Sequence, residues 1–296
     1  AGTNASGTGG AAGSRSSTGT RSTVSSENSG SSGIKIGRLG TTGTRSTISN
    51  DTSALDEPAA VGRLWDQLAE FASVQPVAVA WLFDGSASAE PLARATAGAL
   101  TDRISEASTA PFESLVASFG NETNWLLEQP AADAEAIASA IDKLTFDEPL
   151  PSRPFEAVSA ALERLAERRD EGAVTAVILV TDSPGTDWEQ ADVVATAARE
   201  TTTPIFVIGY AAPFGLTTLM SSGMTSDAMP ATARGPETPD SEFISFQLAG
   251  EAPGPVIMDS GFGPWGLERI CRAAGGSYLA IRLPASRFRM ATGYGS

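Results

Sequence analysis

The chain has 296 residues, 41% of them hydrophobic, a formal net charge of −15, one cysteine and no histidine. A single cysteine excludes an intrachain disulfide, and the lack of imidazole excludes serine hydrolases with a histidine base and the usual zinc sites. No run of 18 apolar residues reads as a membrane span, and the acidity disfavours nucleic acid and anionic membranes as partners while favouring cations.

Residues 1–55 read as a low-complexity tail. It is rich in Gly, Ser and Thr and almost without aliphatic side chains outside "GIKIGRL", so it buries too little apolar surface to fold alone. Charge divides the chain near the same place. The first fifty residues carry Arg15, Arg21, Lys35, Arg38 and Arg45 against Glu27, a net of +4, which leaves 15 basic and 34 acidic residues, a net of −19, for the remainder. "TGTRST" occurs at 18–23 and again at 42–47, a repeat with two copies. Between them Ile34, Lys35 and Ile36 alternate as in a strand added to an exposed sheet edge. The tail is therefore expected to lie on an acidic body, its own or the next subunit's, with Arg21 and Arg45 on carboxylates and Ile34 and Ile36 in apolar slots. A flexible linker is the alternative. Contact with a neighbour would be head to tail and would propagate into a filament. The first residue, Ala1, matches what removal of a secretory signal would leave, and also what trimming would leave; Asn4, Asn50 and Asn121 head glycosylation-type sequons.

From residue 56 onward, short apolar runs alternate with amphipathic ones. Strands are expected at 77–83, 112–119, 174–181, 204–210 and 277–283, three of them nearly continuous in apolar character, as in a parallel sheet covered on both faces. Helices are expected at 89–107, 133–144, 155–169, 187–200 and 263–274. Asp133 is placed to cap the second, Ile137, Ile141 and Leu144 share one of its faces, and Val158, Leu162 and Leu165 do the same in the third. Gly275-Gly276 ends the last helix, and Cys271 within it reads as a buried apolar residue. The alternation predicts a doubly wound α/β domain with a mostly parallel central sheet over 56–288, and a short C-terminal tail at 289–296. Residues 211–259 are too long for an ordinary turn and read as an insertion. It leaves the carboxyl end of a strand, where such folds bind ligands, and is placed either to cover that edge or to pack elsewhere.

In "PVAVAWLFDGSAS" (76–88) the apolar run ends in Asp84, with Ser86 and Ser88 in the following turn, and Asp182 ends another inner strand in "VILVTDSPGTD". In a parallel sheet both carboxylates project from one edge beside the two hydroxyls. Hard oxygen donors of this kind select Mg²⁺, Mn²⁺ or Ca²⁺ over Zn²⁺. The same residues also suit a plainer role, Asp84 and the serines as caps and Asp182 as a turn former before Ser-Pro-Gly.

With Asp84-Gly85-Ser86-Ala87-Ser88 as Asp-x-Ser-x-Ser, followed in order by "VASFG", "VILVTDSPGTDW" and "PIFVIGY", residues 76–283 resemble the von Willebrand factor A family. That resemblance implies a metal-ion-dependent adhesion site with Asp84, Ser86 and Ser88 as ligands, direct or through water, and Asp182 as the late aspartate. It also implies a threonine on a middle loop. Here "FDEPLPSRPFEAV" has none at that point; Ser152 is the nearest hydroxyl and Thr145 the runner-up. "RGPETPDSEF" and "SGFGPWGLERICRAAGGSYL" resemble a subgroup of secreted bacterial members of the family, which adds no activity. The expected function is an extracellular, non-enzymatic structural or adhesive subunit that self-associates through its tail. The alternative is a monomeric metal-dependent module that binds a protein partner. An enzyme is the least favoured reading, because without histidine no nucleophile and base pair assembles, and the carboxylate that phosphoryl-transfer sites resembling "FDGS" need two residues on is here Ser86.

Overall fold

The computed structural model describes residues 55–107, 109–146, 151–219, 245–248 and 256–281. The tail residues Arg21, Ile34, Lys35, Ile36 and Arg45, most of the insertion and residues 289–296 lie outside the described residues.

Helix α1 (Glu57–Ala72) opens the domain. Asp56 caps it, with Oδ1 accepting from the Ala59 amide at 2.8 Å. Then follow β1 (Val77–Asp84), α2 (Glu90–Ala107), the antiparallel pair β2 (Thr109–Phe119) and β3 (Thr123–Asp133), and α3 (Ala134–Ile141). The chain continues through α4 (Pro154–Arg164), α5 (Ala166–Asp170), β4 (Val174–Val180), a single 3₁₀ turn at Trp188–Gln190, α6 (Ala191–Glu200) and β5 (Ile205–Tyr210). After β6 (Pro213–Leu219), β7 (Ser245–Leu248) and β8 (Val256–Asp259) come α7 (Trp265–Ala274) and β9 (Tyr278–Ile281). Ile137, Ile141, Leu144, Val158, Leu162, Leu165 and Cys271 are all buried, Asp133 caps α3 at 2.8 Å, and α7 stops at Gly275 in the left-handed conformation.

Six described strands form one sheet in the order β3-β2-β1-β4-β5-β9, parallel except for the edge strand β3. The sheet is covered on both sides, which is why β1 is apolar without interruption. Val79, Trp81 and Phe83 join a core with Leu64 and Leu68 of α1, Leu92, Leu100 and Ile104 of α2 and Ile137 of α3. Ala78, Ala80 and Leu82 face the opposite core, with Phe155, Val158 and Leu162 of α4, Val194 of α6, and Leu267, Ile270 and Cys271 of α7. The expected doubly wound, mostly parallel α/β domain is the one observed.

The differences from the sequence reading have local causes. Helix α1 and strand β3 were not among the expected elements. β3 is a partly exposed edge strand containing Pro130, so it lacks the apolar run that marks the inner strands. The expected helix at 155–169 breaks at Leu165 into α4 and α5, and the one at 187–200 begins with the 3₁₀ turn. The insertion contains strands: β6 pairs with β7 and β8 in a separate three-stranded sheet. Its two ends are tied together, the Ala212 amide donating to the Phe262 carbonyl at 2.7 Å and the Ser260 amide to the Ala212 carbonyl at 2.9 Å.

Candidate metal centre

β1 and β4 are adjacent and parallel, with Phe83 opposite Val180, so Asp84 and the segment 181–182 leave the sheet at one edge. Asp84 is fully buried. Its Oδ1 accepts from the Ser86 amide at 3.0 Å, closing a turn of the kind a short carboxylate makes with its own backbone. Its Oδ2 accepts from the Ser152 hydroxyl at 2.8 Å and from the Thr181 hydroxyl at 2.6 Å. The Ser88 hydroxyl donates to Asp182 Oδ1 at 3.3 Å. With that proton used, the 3.2 Å contact between the Ser86 and Ser88 hydroxyls is donated by Ser86. Asp84, Ser86, Ser88, Asp182 and Ser152 thus form one hydrogen-bonded cluster, graded from buried Asp84, Ser86 and Ser152 outward to half-buried Asp182 and exposed Ser88. Thr145, the other middle-loop candidate, is exposed and hydrogen-bonds to none of these.

Ser152 donates to Asp84 and Ser88 to Asp182, and a hydroxyl oxygen that donates its proton still carries lone pairs, the kind of donor a cation takes. Among the described residues no arginine or lysine forms an ion pair with Asp84. A buried carboxylate without a counter-charge is costly unless hydrogen bonds or a cation compensate it. All donors are oxygen, and no three carboxylate or thiolate groups converge among the described residues. The donor set therefore fits a hard dication that keeps part of its water, and lacks the nitrogen and sulfur ligands of the usual zinc sites.

Two further residues shape this site and were missed in the sequence. Thr181 reads as the last letter of an apolar strand, yet its hydroxyl donates to Asp84 and accepts from the Ser183 amide at 3.1 Å. Asp187, buried, caps α4 from another loop, its Oδ2 accepting from the Glu156 amide at 2.8 Å. Its Oδ1 is buried without a partner, and burial raises its pKa, with the backbone amide of Glu156 opposing the rise. Next to it, the Thr186 amide and hydroxyl hold the Ser152 carbonyl at 2.8 and 3.0 Å. Gly185 is required in this clamp: its φ is +84°, and a Cβ there would lie 2.5 Å from Pro154. The only signal for these roles was the density of turn formers in "TDSPGTD".

The sheet order and the antiparallel edge strand, with the Asp84-x-Ser86-x-Ser88 turn beside Asp182, make a von Willebrand A-like fold. No protein-family model matches the chain, and a search of curated proteins finds no match. Among solved structures, the SpRpn10 VWA domain is 12% identical with a TM-score of 0.44, covering 74% of this chain and 94% of that one. BatB from Bacteroides thetaiotaomicron is 15% identical with a TM-score of 0.42, covering 74% and 96%. Proximal thread matrix protein 1 from the mussel byssus, with a zinc-occupied MIDAS motif, is 20% identical with a TM-score of 0.39, covering 46% of this chain and 36% of its own.

Proposed function

We propose that the domain is a non-enzymatic, divalent-cation-dependent protein-binding module, the adhesive part of an extracellular protein. One observation carries this reading. The hydroxyls of Ser86, Ser88 and Ser152 gather beside a buried carboxylate that forms no ion pair among the described residues, and burial falls off outward towards Asp182 and Ser88. In this reading Ser86, Ser88 and Ser152 hold the cation together with Asp84 and Asp182, directly or through water. Mg²⁺ is the preferred ion, with Mn²⁺ or Ca²⁺ as substitutes, because the donors are hard oxygens. When bound, the ion supplies a positive centre with open coordination positions for an acidic side chain of a partner. Thr181 holds Asp84 in place, and the 182–187 loop holds Ser152. The absence of histidine also supports a binding role over an enzymatic one.

Mn²⁺ binding to the full chain, followed by electron paramagnetic resonance, tests this directly. One Mn²⁺ per chain is expected, displaced by Mg²⁺ and lost in Asp84→Ala, with circular dichroism checking that the variant is folded. An unchanged titration in the variant, or no binding by the wild type, would exclude the reading.

The charge division along the chain favours a second role, self-association. A tail of net +4 beside a body of net −19 is suited to pairing with a neighbour, head to tail, through Arg21, Lys35 and Arg45. Deleting residues 1–50 should then leave a folded monomer, seen by sedimentation. A truncated chain that still forms multimers would refute that role.

A further inference from the structure

Helices α6 and α7 lie side by side on one face of the sheet and enclose a groove of about 630 Å³. Positions 192, 196 and 199 of α6 and 265, 269 and 272 of α7 line it, an i, i+4, i+7 row from each helix. None of these belongs to the Asp84 cluster. The groove contains Arg199, Arg269 and Arg272 against Asp192 and Glu268, a local net charge of +1 on a body whose net charge is −19.

The arginines are not merely neutralised by their neighbours. Arg269 pairs with Asp192 through Nε, and Arg272 pairs with Glu268 through Nε at 3.0 Å, so the Nη groups of both remain as donors. Arg269 also lies over the Trp265 ring at 5.4 Å from its centroid, and Trp265 is braced edge-on by Trp188 at 6.2 Å. Two guanidinium groups are therefore oriented in advance, which lowers the cost of ordering them around a ligand. Arg199 forms no ion pair among the described residues.

We propose that this groove is a docking site for an acidic peptide segment of a protein partner. Arg199 and Arg272 would take its carboxylates, and Trp265 with Ala195 and Ala273 would supply the apolar floor. Charge complementarity selects the occupant: the rest of the acidic surface repels such a segment, and this groove does not. Arg269 is paired with Asp192, and Arg199 lies seven residues beyond Asp192 on α6, about 10 Å along that helix, which suits successive side chains of a peptide better than one compact anion.

Fluorescence anisotropy of dye-labelled hexaglutamate, titrated with the full chain at low salt, tests the proposal. Saturable binding is expected, at least tenfold weaker in Arg199→Glu/Arg272→Glu and about threefold weaker in Arg199→Gln, whose exposed side chain has no internal partner to lose. Chelation with EDTA should leave the binding unchanged. The proposal is overturned by no saturable binding to the wild type, by undiminished binding in both variants, or by loss of binding with EDTA, which would assign the peptide to the Asp84 cluster. Competition by inorganic phosphate at concentrations equal to hexaglutamate would overturn it in favour of a small-anion site.

Discussion

Replacing Thr181 with valine removes one hydroxyl and almost no volume. The hydrogen bond it breaks is short, 2.6 Å from Oγ1 to Asp84 Oδ2, and both residues are buried, at 1% and 0% exposure. Hydrogen bonds to charged groups contribute about 1.5–3 kcal/mol, and leaving a buried acceptor short of a partner is the expensive way to lose one. The Ser183 amide loses its acceptor as well. Thr181→Val should therefore lower the unfolding free energy of the metal-free protein by about 2–3 kcal/mol, within the range for that kind of bond. At about 2–4 °C per kcal/mol for a domain of this size, the melting temperature should fall by roughly 4–12 °C. Thermal and urea unfolding in EDTA measure both quantities. A double-mutant cycle with Asp84→Ala isolates the pair, because the valine should cost at least 1 kcal/mol less once the carboxylate is gone. A loss below about 0.5 kcal/mol, the scatter of ordinary surface substitutions, or an equal loss in both backgrounds, would refute the claim that Thr181 anchors Asp84.

Ser152→Ala should weaken Mn²⁺ binding at least tenfold while Ser152→Thr retains it, measured by the same resonance titration; equal affinities in all three proteins would remove Ser152 from the site. Asp187 carries a pH signature. Burial raises its pKa above the ordinary 3.8, so the folded state binds the proton more tightly and the carboxylate detracts from stability above the raised value. That penalty is lifted as pH falls through the raised pKa towards 3.8, so Asp187→Asn should gain most over the wild type at pH 7 and lose that advantage near pH 4, read from urea unfolding at both. A pH-independent difference would contradict the assignment. Burial likewise pushes the Cys271 thiol well above its usual pKa, and the residue is fully enclosed. A thiol-reactive dye should therefore label it only on unfolding, and prompt labelling of the native protein would show that the core at α7 opens.

How much of the site was legible depends on how far apart its parts lie in the chain. Asp84, Ser86 and Ser88 follow one another in a single turn, so their convergence needs only a strand that ends at 84. Asp182 required one further step, the inference that two apolar runs are parallel neighbours. Ser152 was reached only through the family resemblance, as the hydroxyl nearest the expected middle-loop threonine, with Thr145 as the alternative. Thr181 and Asp187 were not found, because a threonine ending a strand and an aspartate in a loop acquire their partners only when the sheet and α4 are assembled. Helix α1 was readable in principle: Val61, Leu64, Trp65 and Leu68 recur at helical spacing behind a capping Asp56. β3 was not, since its pairing with β2 is irregular and its residues are half exposed.

By itself the order of residues determined the alternation of strands and helices, the continuous apolar strands, and the carboxylate and hydroxyl chemistry at the end of β1. These follow from local periodicity and from which side chains tolerate burial. Only the tertiary structure decided that Ser152, rather than Thr145, reaches Asp84, that Thr181 shares its oxygen, and that Arg199, Arg269 and Arg272 line one groove. Each of these is a contact between segments tens of residues apart, set by the packing of helices on a twisted sheet, which no single window of sequence contains.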